Sequence, residues 1–312
     1  METSIRTLKR IVSNIEKVII GKRYTVELVL ISFMCRGHVL IEDVPGVGKT
    51  SLASALAKSL DCSFRRIQFT PDIMPSDITG FSAYNPKTGE FEYKKGVILS
   101  QVILADEINR TSPKTQSSLL EAMEEKQVTV DGKTYKMDEP FIVIATQNPI
   151  EYLGTYPLPE AQMDRFFMRL SLGYPDKGEE MKIISRFKAA NPLSELKPVA
   201  NGDDIVRIQK EAEQVYVDFR ITEYIVNIIR NTRQDEFAAL GASPRATVNL
   251  CRAAQALAMY NERDYVAPDD IIKLSEHVLA HRIVLRQEAK LKKITQRDII
   301  ERAVERTQVP VV

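Results

Sequence analysis

The segment from Val39 to Thr50 constrains the fold of this chain more than any other. It reads VLIEDVPGVGKT, an apolar strand and a Pro-Gly turn that lead into Gly48, Lys49 and Thr50 at the start of a helix. The backbone N–H groups of such a turn and the helix dipole favour an anionic polyphosphate. In this arrangement Lys49 reaches the β- and γ-phosphate oxygens, and Thr50 ligates Mg²⁺. The segment therefore predicts a phosphate-binding loop.

The loop departs from the usual pattern at Asp43. This residue stands six positions before Lys49, where glycine is more usual. Aspartate tolerates turn conformations that most side chains avoid, so we expect the loop to close. A carboxylate near a phosphate site nevertheless makes the motif less specific. The assignment therefore depends on the rest of the chain.

Two carboxylates end a second apolar run, from Val102 to Ala105. The pattern is typical of a buried parallel strand whose C-terminal end lies at the ligand edge of a sheet. At that edge Asp106 can hold Mg²⁺ through its hydration shell, and Glu107 can polarise the attacking water. The alternative is that two acids simply end a strand at the surface. The preceding Gly-Lys-Thr turn favours the magnesium and water roles.

Two further polar residues are candidates for contacts near the γ-phosphate. Asn148 follows the apolar run Phe141 to Ala145 and can orient the attacking water, although asparagine before proline is also an ordinary turn former. Arg245 follows Ser243-Pro244, which predicts a helix start. A cation there opposes the helix dipole unless an anion lies close. This predicts a phosphate contact for Arg245, with a surface charge as the alternative.

Length and composition agree with an intracellular protein of two domains. The chain has 312 residues, of which 44% are hydrophobic, and a formal net charge of +1. It therefore has no global attraction for nucleic acid or anionic membranes. The N-terminus lacks the apolar core of a secretory signal, and no run is long enough to span a bilayer. We expect a cytoplasmic protein whose three cysteines are free thiols without metal-like spacing.

The order of the patterns predicts an α/β domain over residues 1–176 and a helical domain over residues 177–312. Two β-hairpins are expected in the first domain, at residues 84–95 and 127–137, the second turning at Asp131-Gly132. A short helix is expected to carry Asp164 and Arg165. Beyond Pro175 the periodicity is helical throughout, so the second domain reads as a small all-helical lid.

Five strings, taken together, resemble the MoxR family of AAA+ ATPases, in the branch with a hairpin inserted in the second helix. They are EDVPGVGKT (42–50), FTPDIMPSDITG (69–80), LADEINRTSPKTQSSLLEAMEE (104–125), ATQNPIEYLGTYPLPEAQMDRF (145–166) and SPRA (243–246). The resemblance implies an AAA+ P-loop domain with a central parallel sheet and inserted β-hairpins, followed by the helical lid. It also implies that Asp43 is an accepted variant of the loop.

The resemblance further implies a set of site residues and the cofactors ATP and Mg²⁺. Asp106 and Glu107 correspond to Walker B, with Thr50 and Asp106 as metal ligands, and Asn148 corresponds to sensor 1. Arg165 corresponds to the arginine finger and Arg245 to sensor 2. The nucleotide-binding residues are the Walker A positions Gly46, Val47, Gly48, Lys49, Thr50 and Ser51, and the positions Ile20 and Gly21 beside the adenine. The alternative for Ile20 and Gly21 is an apolar strip of the core.

Arg165 carries the strongest mechanistic implication. An arginine that faces the γ-phosphate of a neighbouring subunit accelerates hydrolysis by about 10³-fold or more, so that hydrolysis requires assembly. The alternative is a local ion pair that stabilises little at the surface. Arg110 and Arg169 are rival candidates for the finger. The acids considered as local partners are Glu151, Glu160 and Asp164.

By resemblance, the chain is an ATP-driven remodelling or maturation factor that works as a homo-oligomeric ring, as a hexamer, beside a von Willebrand factor A domain protein and a protein client. The hairpins are candidates for client contact or for packing between subunits. One alternative is a nucleic-acid motor that uses the basic stretch 282–293, although such a run is usually a solvated helix face. The other is a nucleotide-gated scaffold with little turnover.

Overall fold

The computed structural model describes residues 1–149, 154–189 and 192–311. Helices occupy both ends of the chain and separate most of the strands. The described α-helices are α1 (Glu2–Ile15), α2 (Arg23–Met34), α3 (Lys49–Ser59), α4 (Pro75–Thr79), α5 (Pro113–Glu125), α6 (Glu160–Met163), α7 (Lys177–Ala189), α8 (Pro192–Glu195), α9 (Gly202–Ala212), α10 (Phe219–Gln234), α11 (Pro244–Tyr260), α12 (Pro268–Leu279), α13 (Gln287–Leu291) and α14 (Gln296–Glu305).

The strands form one central sheet and three short antiparallel pairs. They are β1 (Val39–Glu42), β2 (Phe64–Gln68), β3 (Gly80–Asn85), β4 (Glu90–Lys95), β5 (Val102–Asp106), β6 (Gln127–Val130), β7 (Lys133–Lys136), β8 (Ile142–Gln147), β9 (Met168–Leu170), β10 (Ala238–Leu240) and β11 (Val284–Leu285). The central sheet has the order β2-β5-β8-β1-β9, and every pairing in it is parallel.

The central sheet is covered on both faces, which explains why its strands are apolar runs rather than alternating patterns. All five residues of β5 are buried, as are the first five of β8. Because the strands are parallel, the C-terminal ends of β1, β5 and β8 meet at one edge. The predicted α/β fold with a central parallel sheet is confirmed.

Two antiparallel hairpins extend from this sheet, β3–β4 and β6–β7. The second turns at Asp131-Gly132, where both residues have positive φ, as a tight type I′ turn requires. The hairpins touch each other, because the ring of Tyr93 stacks on Tyr135 with centroids 4.1 Å apart. Phe91 at the far end of the first hairpin remains 73% exposed. The inserted hairpins are therefore present and packed together.

From Lys177 onward the described residues are almost entirely helical. The exception is the short antiparallel pair β10–β11, which the helical periodicity did not predict. The first two helices of the chain pack on both parts, so that residues such as Ile11, Leu56, Tyr224 and Leu257 belong to one apolar core. Among the described residues, no helix combines the length and apolarity needed to cross a membrane. The predicted boundary at residue 176 stays a prediction.

A buried arginine joins the helical part to the α/β part. The side chain of Arg282 is only 1% exposed, and its Nε donates to Oδ1 of Asp164 over 2.7 Å. The guanidinium also donates to the carbonyls of Phe166 and Phe167. The helix α6 ends at Met163, so the prediction that a helix carries Asp164 and Arg165 is wrong. Asp164 instead follows the helix and pairs with this buried cation.

Candidate nucleotide site

The phosphate loop lies between the end of β1 and the start of α3. Gly46 and Gly48 have φ values of +86° and +98°, which side chains rarely adopt, and Gly48 is the residue that caps α3. No atom lies within 4 Å of where a Cβ of Gly46 would stand. Thr50 is exposed in the first turn of α3, and Val47 and Ser51 are partly buried. The loop thus presents an open turn at a helix N-terminus.

Lys49 is buried at the start of α3, and its Nζ donates to the carbonyl of Asp43 over 2.8 Å. Burial lowers the pKa of the Lys49 ammonium, although the carboxylates of Asp106, Asp43 and Glu107 act in the opposite direction. The three carboxylates therefore lie near enough to the ammonium to raise its pKa. The ammonium is held inside the loop, where a polyphosphate would bind.

The carboxylate of Asp43 is fully engaged by hydrogen bonds to the protein. Its Oδ2 accepts from the backbone N–H of Leu172 (2.6 Å) and Gly173 (2.8 Å) and from Oγ of Ser171 (3.0 Å). Its Oδ1 accepts from the N–H of Val44 over 3.1 Å. These contacts direct the carboxylate to protein donors, and its role as an accepted variant of the loop stays a prediction. Asp43 thus ties the loop to the segment that follows β9.

The two acids after the second apolar run lie at the predicted edge of the sheet. Asp106 ends β5, and its Oδ1 accepts from Oγ1 of Thr146 over 2.6 Å. The same hydroxyl accepts from the backbone N–H of Glu107 over 2.9 Å. Glu107 has a φ of +57°, a conformation that costs free energy for a residue other than glycine. Thr146 therefore fixes the positions of both acids.

Two side chains on β2 reach these acids, and the sequence patterns did not identify them. Nη2 of Arg66 donates to Oδ2 of Asp106 over 2.7 Å, and Nε2 of Gln68 donates to Oε2 of Glu107 over 2.7 Å. Residues two apart on a strand share a face. The alternation of polar side chains in FRRIQF was therefore the available signal, but nothing in the sequence states that β2 lies beside β5.

Asn148 follows β8, which lies between β5 and β1 in the sheet. It is buried, and its position falls between the phosphate loop and the two acids along the same edge. The neighbouring Gln147 donates from Nε2 to Oε1 of Glu42 over 2.5 Å. The structure therefore brings Lys49, Asp106, Glu107 and Asn148 to one edge. Their chemical roles stay predictions.

The donor set at this edge fits Mg²⁺. Mg²⁺ prefers oxygen ligands and is usually held by one or two carboxylates together with substrate phosphates. Thr50 offers a hydroxyl, Asp106 offers a carboxylate, and the guanidinium of Arg66 shows that Asp106 accepts a cation at Oδ2. Within the described residues no group of three His, Cys, Asp or Glu side chains is placed to hold a metal. These residues would therefore hold the ion together with the nucleotide.

Arg165 and Arg245 lie together, on a single carboxylate. Nε of Arg165 is 3.2 Å from Oε2 of Glu124, and Nη2 of Arg245 donates to Oε1 of the same residue. Arg245 stands in the first turn of α11, where a cation opposes the helix dipole. Glu124 is thus the nearby anion that the sequence pattern required. The structure places no nucleotide-loop residue in contact with either described guanidinium.

The two arginines lie at the edge of the sheet opposite to the phosphate loop. Met123, one residue before Glu124, accepts a hydrogen bond from His38 at its carbonyl (3.2 Å), and His38 immediately precedes β1. The imidazole of His38 is buried, and this burial lowers its pKa to about 4. The phosphate loop instead follows the C-terminal end of β1 at Glu42, which is roughly 13 Å from His38 at a rise of about 3.3 Å per residue.

The rival arginines have other contacts. Arg110 pairs with Glu107 over 3.0 Å, and Arg169 pairs with Glu42 over 3.1 Å. Asp164 pairs with the buried Arg282, so it is not the local partner of Arg165. Glu151, another partner considered from the sequence, lies outside the described residues. Among the three candidates, Arg165 alone pairs with an acid outside the phosphate-loop edge.

The positions expected beside the adenine lie near the phosphate loop. The side chain of Ile19 comes within 3.8 Å of where a Cβ of Gly48 would stand. Ile20 and Gly21 follow directly, and Lys22 donates from Nζ to the carbonyl of Tyr174 over 2.9 Å. The segment therefore lies between the loop and the start of the helical part. Contact of Ile20 and Gly21 with a base stays a prediction.

Two family profiles match this chain. Residues 38–168 match the profile described as ATPase family associated with various cellular activities (AAA), and residues 230–303 match the AAA lid domain. The chain is 39% identical to Chaperone MoxR1 of Mycobacterium tuberculosis, over 99% of this chain and 84% of that protein. The chain belongs to the MoxR family of AAA+ ATPases. The resemblance read from the five strings is confirmed.

Other relatives agree with this family. The MoxR-family chain is 52% identical to the uncharacterized protein YeaC of Bacillus subtilis, covering 97% of this chain and 95% of that protein. A crystal structure of a protein from Cytophaga hutchinsonii with a provisional ATPase assignment superimposes with a TM-score of 0.93 at 41% identity. That match covers 99% of this chain and 96% of the other. The two family profiles and this crystal structure confirm the AAA+ fold with its lid.

Proposed function

We propose that this MoxR-family protein hydrolyses ATP with Mg²⁺ and works in the cytoplasm as a ring, as a hexamer, that remodels or matures other proteins. One observation carries the proposal: an open phosphate loop, a buried lysine and two positioned acids lie at one edge of a parallel sheet. The chaperone role is suggested by the name of the relative MoxR1. A von Willebrand factor A domain partner and a protein client come from the family resemblance.

In the proposed reaction each residue has a defined task. Lys49 and the backbone of the loop bind the phosphate oxygens, and Glu107 polarises the attacking water, which Asn148 orients. Thr146 holds Glu107 through its backbone N–H, so the acid keeps a fixed position. Mg²⁺, when bound with the nucleotide, neutralises charge on the phosphate oxygens. Arg165 and Arg245 supply positive charge to the nucleotide of a neighbouring subunit.

The contacts of Arg282 disfavour the alternative of a nucleic-acid motor that uses the stretch 282–293. This first cation of the stretch is buried against the Asp164 carboxylate and four backbone carbonyls, and it offers no charge to a ligand. Arg286 donates to the carbonyl of Ala238, and Lys292 lies over the ring of Phe237. These three cations of the stretch therefore make contacts within the protein. The exposed cations that remain resemble an ordinary solvated surface.

The proposal is tested by phosphate release from ATP measured against protein concentration, with particle mass followed by light scattering. We expect specific activity to rise as rings form, because an arginine supplied by a neighbour requires assembly. Glu107→Gln is the matched variant, since it removes the carboxylate charge but keeps the shape of the side chain. It should assemble like the wild type and lose turnover by about 10²-fold or more.

Either of two results would contradict the proposal. If assembled wild-type rings bind ATP but release no phosphate, the chain is a nucleotide-gated scaffold rather than an ATPase. If turnover is constant across concentrations at which the particle mass changes from monomer to ring, the catalytic site is complete within one chain. In that case Arg165 has no role at a neighbour's nucleotide.

A further inference from the structure

Arg66 occupies the carboxylate that the proposed magnesium site requires. Its Nη2 donates to Oδ2 of Asp106 over 2.7 Å, and its Nε donates to the same oxygen over 3.2 Å. The other oxygen, Oδ1, accepts from Thr146 over 2.6 Å. Both oxygens of Asp106 are therefore engaged by donors from the protein. A hydrated cation that uses Oδ2 must displace the guanidinium.

The same guanidinium is connected to the second acid of the site. Nη2 of Arg66 also donates to Oε1 of Gln68 over 2.8 Å, and Gln68 donates to Glu107 over 2.7 Å. Glu107 in turn accepts from Nη1 of Arg110 over 3.0 Å. Two cations, Arg66 and Arg110, thus pair with the two acids. Any displacement of Arg66 therefore breaks its hydrogen bonds to Asp106 and to Gln68, the residue that contacts Glu107.

The position of Arg66 allows it to leave. It lies on β2, which is the edge strand of the sheet, and its side chain is 47% exposed while that of Asp106 is 12% exposed. A long side chain at an edge can move into solvent without opening the core. Asp106, by contrast, is fixed at the end of β5 by Thr146. Arg66 is therefore the movable partner of this ion pair.

We propose that Arg66 is a positioning residue that competes with Mg²⁺ for Asp106 and is released when the metal binds with the nucleotide. The inference rests on the proposed magnesium-dependent nucleotide site and adds a residue to it. A cation within hydrogen-bonding distance of a carboxylate repels a second cation and occupies its ligand oxygen. Arg66 therefore raises the Mg²⁺ concentration at which the loaded site forms.

The test is equilibrium binding of a fluorescent, non-hydrolysable ATP analogue to the full chain. The affinity is measured in EDTA and during a Mg²⁺ titration, for the wild type and for Arg66→Gln. We expect the Mg²⁺ midpoint of Arg66→Gln to fall by about two- to tenfold, because a partly exposed ion pair is removed. Arg66→Lys keeps the charge with fewer hydrogen bonds, and its midpoint should lie between the two.

Arg65→Gln is the matched control. Arg65 is exposed on the same strand, and side chains alternate along a strand, so it projects from the opposite face. The variant Arg65→Gln removes the same charge one residue away from Arg66, and it should leave the Mg²⁺ midpoint unchanged. If the Mg²⁺ midpoint of Arg65→Gln shifts as much as that of Arg66→Gln, the effect comes from net charge alone and the inference is overturned.

Two further outcomes distinguish a failure of this inference from a failure of the proposed magnesium-dependent nucleotide site. If wild-type affinity depends on Mg²⁺ but Arg66→Gln has an unchanged or higher midpoint, Arg66 does not compete with the metal, and only the inference fails. If wild-type affinity is the same in EDTA and in Mg²⁺, the magnesium site at Thr50 and Asp106 fails, and the inference fails with it. Unchanged circular dichroism of Arg66→Gln confirms that the fold is intact.

Discussion

At the scale of single residues, Asp43 shows how an unusual side chain in a motif acquires a structural role. Its carboxylate accepts four hydrogen bonds, two of them from the backbone N–H groups of Leu172 and Gly173. Those groups belong to a segment that follows β9, more than a hundred residues along the chain. A glycine at position 43 would match the common pattern of the loop but would leave these donors without their acceptor.

We therefore predict that Asp43→Gly lowers the free energy of unfolding by about 2–4 kcal/mol, because hydrogen bonds to a buried carboxylate are lost and backbone donors stay buried. Urea denaturation of the nucleotide-free protein measures the change. Asp138→Gly is the control, since Asp138 is exposed and should change stability by less than about 1 kcal/mol. Equal stability of Asp43→Gly and the wild type would show that the contacts of the carboxylate contribute little.

The site could be predicted from sequence where its residues are local to a motif. Lys49 and the glycines follow a strand directly, and Asp106 and Glu107 end one, so their shared edge follows from parallel pairing. The contacts of Arg66 and Glu124 could not be predicted in this way. They join residues that are 40 and 121 positions apart, Arg66 with Asp106 and Glu124 with Arg245. No periodicity reports such a separation.

At the scale of elements, the two hairpins form one unit. The stacked rings of Tyr93 and Tyr135, with an interplanar angle of 19°, join strands of different hairpins. The phenol of Tyr93 also donates to the carbonyl of Thr79, which ends α4. The first hairpin is therefore anchored both to its own base and to the second hairpin. A force or ligand that displaces one hairpin should therefore also displace the other.

A double-mutant cycle of Tyr93→Leu and Tyr135→Leu tests this unit. We expect a coupling free energy of about 0.5–1.5 kcal/mol from urea unfolding, as for other aromatic pairs in contact. The control cycle combines Tyr84→Leu with Tyr135→Leu, because the ring of Tyr84 instead contacts Phe91. A coupling near zero in both cycles would mean that the two hairpins are energetically independent.

Most of the helices and strands could be predicted from the sequence. The Asp131-Gly132 turn and the buried runs of β5 and β8 are strong local signals, and all three are present. Short elements were missed, since β10 and β11 contain only three and two residues and depend on each other for pairing. The residues around Arg165 were assigned to a helix that ends earlier, because helix ends are weakly specified.

At the scale of the whole molecule, the residues proposed for the site lie at two opposite edges of the sheet. Lys49, Asp106 and Glu107 lie where the strands end, while Arg165 and Arg245 share Glu124 where the strands begin. A single chain in this arrangement does not bring the arginines to its own phosphate loop. A head-to-tail ring joins unlike faces of successive subunits, so one subunit's arginines can face the next subunit's nucleotide. The geometry therefore favours a shared site.

Mixing two inactive variants tests whether the site is shared. Arg165→Ala subunits keep their own phosphate loop, and Lys49→Ala subunits keep their arginines, so mixed rings contain some complete interfaces. We expect an equal mixture to recover roughly a quarter of wild-type phosphate release, and Arg245→Ala to behave like Arg165→Ala, if interfaces act independently. Lys49→Ala mixed with the Lys49→Ala/Arg165→Ala double variant is the control and should recover none. No recovery in mixed rings confirmed by light scattering would mean that the arginines do not act on a neighbour's nucleotide, and Glu124 would then be their structural partner alone.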